Sequence, residues 1–146
     1  MAELLADRSF VTSCLPHGDG MCLLDGVLAW DETMIECVTT AATPAQHPLS
    51  RGGHLHAIMA AEYAAQATAI HGALRAPDTP PMEGRLAGIR ELAWEAAELT
   101  ASRPARVYCF ERMRQQQALI YGFELSDQHN RLVSGEVTVA FPETRS

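Results

Sequence analysis

His54–His71 reads HLHAIMAAEYAAQATAIH. The stretch is rich in alanine and contains neither proline nor glycine. Alanine gives up the least side-chain freedom in a helix, so the segment predicts a helix of about five turns. Ser50 or Gly52 can cap its start, and Gly72 suits a left-handed residue just past its end. Small residues cover nearly the whole circumference, which predicts a helix buried on most sides. Only Glu62, Gln66 and the histidines interrupt that surface.

Strand patterns lie on both sides. Upstream, Cys22–Trp30 is an apolar run. Thr33–Thr40 alternates, with Met34, Glu36 and Val38 on one face and Ile35 and Cys37 on the other. Asp31 and Glu32 between them are enough for a hairpin turn. Downstream of a proline-rich loop at 76–84, Leu86–Trp94, Arg106–Met113, Ala118–Leu125 and Leu132–Phe141 read as four further strands. Asp127–Arg131 is the turn between the last two. Two strands, one helix and four strands joined by tight turns predict an α+β layer arrangement. The order resembles the hotdog fold, an antiparallel six-stranded sheet wrapped around one long central helix. Such a sheet leaves edges open, and pairing two sheets edge to edge removes that liability, so at least a dimer is expected.

At 146 residues the chain fits one domain, taken as 1–146. It is 47% hydrophobic and 20% charged, a composition that can fill a core. The net charge of −7 argues against a general nucleic-acid or anionic-membrane binder, and every basic residue is an arginine. No segment reads as a membrane span, and the first residues do not read as a secretory signal. Cys14, Cys22, Cys37 and Cys109 show no C-x-x-C spacing and read as reduced thiols of a cytoplasmic protein.

Glu62 is the sharpest chemical feature. Its neighbours are Ala57, Ile58, Met59, Ala60, Ala61, Ala64 and Ala65. Burying an unpaired carboxylate is costly, so such a group finds partners or keeps its proton, and a protonated carboxyl is what a general acid requires. The alternative is a structural carboxylate that accepts backbone N–H groups or an arginine. Gln66 lies one turn on, on the same face. A histidine is the obvious base, and His47, His54 and His56 lie just upstream or at the helix start. The same three could supply nitrogen ligands to a metal, but no further ligand spacing supports that, and no metal is expected. His17, His71 and His129 read as structural or exposed. Gly52 and Gly53 precede the helix, where free N–H groups and a close backbone approach suit a thioester oxygen; the plain alternative is a turn.

Several motifs resemble the 3-hydroxyacyl-carrier-protein dehydratases of fatty-acid synthesis. Leu15-Pro-His17 followed by Met21-Cys-Leu-Leu-Asp25-Gly-Val27 looks like their L-P-H-x-x-P-x-L-L-V-D-x-V opening. Glu62-Tyr-Ala-Ala-Gln66 is similar to their E-x-x-x-Q, and Leu86-Ala-Gly-Ile-Arg90 to their A-G-I strand. The form E-Y-x-A-Q-A-x-A-x-H-G, here Glu62 to Gly72, is closest to the dehydratase-like proteins of aryl-polyene gene clusters. The resemblance spans nearly the whole chain. It implies dehydration of a 3-hydroxyacyl thioester to the 2-enoyl thioester, with no cofactor, in a site shared between protomers. Glu62 would protonate the leaving hydroxyl, and a loop histidine, His47 or His54, would remove the α-proton. Gly52, Gly53 and Gln66 would contact substrate. The family's histidine stands fourteen residues before its glutamate; that position here is Pro48, with His47 beside it. Two alternatives follow: a non-catalytic subunit paired with an active hotdog dehydratase, or a thioester hydrolase on the same fold. The implied partners are an acyl carrier protein or a coenzyme A thioester, and a second hotdog subunit in a homodimer or heterodimer. Arg103, Arg106, Arg112 and Arg114 are the candidate docking patch for an acidic carrier, or else a solvated strand face.

Overall fold

A computed structural model describes residues 4–14, 23–39, 57–78, 84–95, 105–127 and 130–141. Six strands form one antiparallel sheet: β1 Gly26–Trp30, β2 Met34–Thr39, β3 Arg85–Trp94, β4 Ala105–Arg114, β5 Ala118–Ser126 and β6 Arg131–Ala140. Their order across the sheet is β1-β2-β4-β5-β6-β3. The alternation in sequence becomes the two faces of this sheet. Ile35, Cys37, Val107, Cys109, Tyr121, Phe123, Leu125, Val133 and Val137 all point to one face and are buried. The register stacks them in rows, with Cys109 opposite Phe123 and Tyr121 opposite Val137. Asp31 closes the β1–β2 hairpin as expected, its Oδ1 accepting the N–H groups of Thr33 and Met34 at 2.8 and 2.9 Å. On the outer face Gly122 stands opposite Phe110, and a Cβ there would lie 2.3 Å from the ring.

Two helices accompany the sheet. α1, Arg8–Ser13, is six residues long, and Asp7 caps it by accepting the Phe10 N–H. It was not among the predicted elements. α2, Ala60–Arg75, is preceded by a 3-10 turn at Ala57–Met59 and packs against β2, β3, β4, β5 and β6. The long central helix predicted over 54–71 is therefore corrected. The α-helical part covers 16 residues, about four turns, and its end lies at Arg75. Gly72 is interior to the helix and not its terminator; the C-cap is Ala76 at φ −137°.

Burial of α2 also departs from expectation. Ala60, Ala61, Tyr63, Ala64, Ala67, Thr68, Ile70 and His71 are buried. Glu62, Ala65, Gln66, Ala69 and Ala73 are only half-buried, and Ile58 is exposed. These positions recur at i, i+3, i+4 and i+7, so they form one stripe along the helix that the sheet leaves open. A uniformly small surface gave no reason to expect a preferred side; the strands choose it.

The two borders of the sheet differ. Val27 of β1 exchanges hydrogen bonds with the N-terminal segment, donating to the Ala6 carbonyl at 2.9 Å and accepting from the Leu5 N–H at 2.8 Å. Gly26 permits that approach, because a Cβ there would lie 2.7 Å from the Ala6 oxygen. β3 is the other border, and no described strand pairs with its outer side. It carries a bulge between Arg90 and Ala93, where Glu91 adopts φ 54°. Cys14, Cys37 and Cys109 are free and buried, and burial pushes the Cys37 thiol up to about 12. No helix among the described residues is long and apolar enough to cross a membrane.

Candidate active site

Glu62 stands in the first turn of α2, on the open stripe. It is half-buried rather than enclosed, and among the described residues no arginine pairs with it. Of the two forms of the structural alternative, the arginine pair is not formed among the described residues. Gln66 follows one turn later and is anchored: its Oε1 accepts the Leu23 N–H at 2.9 Å. The Leu23 carbonyl in turn accepts the Thr39 hydroxyl at 2.8 Å. The amide nitrogen of Gln66 carries the donors of this side chain. The fold therefore places Glu62 and Gln66 side by side, with Gln66 fixed against the segment that leads into β1. His47, His54, Gly52 and Gly53, the other site residues expected from sequence, lie outside the described residues, as does His56.

A second polar cluster occupies the far end of α2, and the sequence reading did not anticipate it. His71 is fully buried. Its Nε2 lies 2.7 Å from the Asp31 carbonyl and its Nδ1 2.6 Å from the Tyr121 hydroxyl. A carbonyl can only accept, so the ring proton sits on Nε2, and Nδ1 accepts from Tyr121. Burial pushes the imidazole below its ordinary value, and the Arg75 charge adds to that. Arg75 donates to the next carbonyl, that of Glu32, at 3.0 Å and pairs closely with Glu111. Although burial alone would raise the Glu111 carboxyl, hydrogen bonds from Arg114 and Arg75 hold it down to about 2. Two side chains of one helix end thus grip consecutive carbonyls of the β1–β2 turn. Sequence gave little hint, because Tyr121 is fifty residues from His71.

The arginines singled out earlier are engaged with the sheet's own acids. Arg106 pairs with Glu36 at 3.2 Å, Arg112 with Glu136 at 3.7 Å and Arg114 with Glu111 at 3.0 Å; Arg103 lies outside the described residues. These three side chains are at least half exposed, so each exposed pair contributes little to stability. Their arrangement is that of a solvated, internally balanced strand face. Among the described residues no cluster of three or more histidine, cysteine or acidic side chains is placed to hold a metal ion.

A six-stranded antiparallel sheet with one helix laid across it, and a carboxylate on that helix's open stripe, defines a protein of the hotdog class. The profile of the ApeP-like family, described as ApeP dehydratase, matches residues 10–146, and the chain belongs to that family. No curated protein matches it. Solved structures share the fold. The dehydratase heterocomplex ApeI:P from Xenorhabdus doucetiae has a chain that superposes with a TM-score of 0.80 at 22% identity, covering 92% of this chain and 91% of that one. A mutant thioesterase from Pseudomonas aeruginosa gives 0.63 at 11% identity, covering 94% of each chain. A hypothetical thioesterase with coenzyme A from Streptococcus pneumoniae TIGR4 gives 0.58 at 8% identity, covering 82% of this chain and 87% of that one.

Proposed function

We propose that this protein dehydrates a 3-hydroxyacyl thioester to the 2-enoyl thioester, with Glu62 as the general acid. A base removes the α-proton, the Cα–Cβ double bond forms, and the Cβ–O bond breaks. Glu62 delivers its proton to the departing hydroxyl, which leaves as water. His47 and His54 are the candidate bases, and Gly52, Gly53 and Gln66 the candidate substrate contacts. The observation that carries the reading is the position of Glu62: half-buried, unpaired with arginine among the described residues, on the one stripe of α2 that the sheet leaves open. A carboxyl so placed can meet a thioester lying along the helix, and the small side chains of Ala65 and Ala69 leave room beside it. The acyl group is carried on an acyl carrier protein or coenzyme A.

A second hotdog subunit belongs to the same proposal. The ApeI:P relative is a heterocomplex, and the outer side of β3 offers backbone N–H and C=O groups to a neighbouring strand. The site then forms between subunits, as a homodimer or as a heterodimer in which this chain supports an active partner.

The test is turnover of a 3-hydroxyacyl thioester, measured for the chain alone and mixed with a hotdog dehydratase partner. Glu62→Gln is expected to cut enoyl formation by about 10²–10⁴-fold while the variant stays folded. Undiminished turnover in this variant removes Glu62 from the mechanism. Release of free thiol without enoyl product would identify a hydrolase. Silence alone, with an Glu62-independent stimulation of the partner, would identify a supporting subunit.

A further inference from the structure

We propose that His71 is a positioning residue that seats α2, and with it Glu62 and Gln66, only while its imidazole is neutral. The inference deepens the reading of Glu62 as the acid and rests on it for its functional meaning. α2 is one continuous helix, so its seating at one end sets its other end. Glu62 lies nine residues before His71, about 13 Å along the axis. At the His71 end the ring bridges two elements: Nε2–H donates to the Asp31 carbonyl of the hairpin turn, and Nδ1 accepts from Tyr121 on β5. The Trp30 ring of β1 meets it edge-on at 6.4 Å.

That bridge requires one nitrogen to donate and the other to accept. A protonated ring has two donors and no acceptor. Tyr121 would have to turn its hydroxyl to accept, and its own hydrogen would lose the ring as partner. The charged groups facing the site leave little to take up a new donor. On α2 itself Arg75 is one turn away and repels the imidazolium. In the hairpin turn, Asp31 Oδ1 already accepts from Thr33 and Met34, and Glu32 offers its carbonyl to Arg75. On β4, Glu111 is shared between Arg75 and Arg114. Asp31 and Glu111 attract the imidazolium from a distance, yet burial outweighs them, and the ring's ordinary value of 6.5 is lowered. The sign follows from this. As pH falls below 6.5 the unfolded chain takes up the proton first, so stability is full above that value and drains away as pH falls toward the folded value. Glu111 is held near 2, far below the ordinary histidine value at which the His71 contribution begins to drain away.

The experiment uses the full chain labelled uniformly with ¹⁵N, and follows the His71 ring together with the Leu23 amide, the donor to Gln66. At neutral pH the His71 ring should show the Nε2–H tautomer. On acidification, hydrogen exchange at Leu23 should accelerate about tenfold, corrected for intrinsic rate, in step with His71 protonation. His71→Gln keeps a donor for the Asp31 carbonyl and cannot gain a proton; it should hold Leu23 protection and flatten its pH dependence. An Nδ1–H tautomer overturns the proposal, as does Leu23 protection that stays constant while His71 titrates. Should the variant not fold, the wild-type titration decides. None of these readouts uses turnover, so a failed Glu62→Gln test and a failed His71 test are told apart.

Discussion

The two ends of α2 are built for opposite purposes. At its C-terminal end, His71 and Arg75 are tied to Asp31, Glu32, Tyr121 and Glu111, and among the described residues each buried side-chain nitrogen and oxygen has a partner. At its N-terminal end, Glu62 lies on a half-open stripe with no arginine paired to it among the described residues. The contrast teaches where the helix draws stability and where it keeps a group available. A satisfied buried cluster fixes geometry, whereas the proton exchange proposed for Glu62 requires a carboxylate that no permanent cation holds.

This contrast can be broken from either side. The largest expected loss of stability comes from Glu111→Gln. It strands Arg75, whose side chain is only 10% exposed, and should cost about 3 kcal/mol, read by denaturant titration. The same variant should lose the acid-sensitive leg of stability: the wild-type pair contributes fully above the ordinary value of 4.5 and is lost as pH falls toward about 2. A Glu111→Gln chain as stable as wild type would mean that this end of the helix is not the anchor. Gln66→Leu comes next. It leaves the Leu23 N–H, in a residue 6% exposed, without its acceptor, and should cost about 1–2 kcal/mol in the same titration. The smallest change is expected at Glu62→Gln, within about 0.5 kcal/mol of wild type, although its turnover should fall the furthest. A large destabilisation there would make Glu62 a structural group and erase the contrast.

Much of the architecture could be read from the chain. Alternation located β2, β4, β5 and β6, because each buries one face: in β5, Leu119, Tyr121, Phe123 and Leu125 are all buried, and Ile120 and Glu124 between them are not. Asp31-Glu32 was legible as a turn because an aspartate can accept the N–H groups that follow it. The helix was legible as a helix, but its orientation was not. Alanine contrasts weakly with either water or core, so a mostly alanine surface does not say which side the strands will cover. That is why Glu62 was expected to be enclosed and is found on the open stripe. α1 escaped notice because six residues held by one Asp7 cap leave almost no periodic trace. The His71 cluster escaped for a different reason: its partners come from the β1–β2 turn and β5, and only the folded sheet brings them together.

The unequal borders of the sheet carry a consequence for how large an assembly can grow. One margin is short and already occupied at Val27 by the chain's own N-terminal segment, while the β3 margin presents ten residues of backbone. Strand addition through β3 uses up the accessible margin of each copy. In the pairing proposed above, growth by that route would terminate at a pair rather than propagate into a ribbon of sheets.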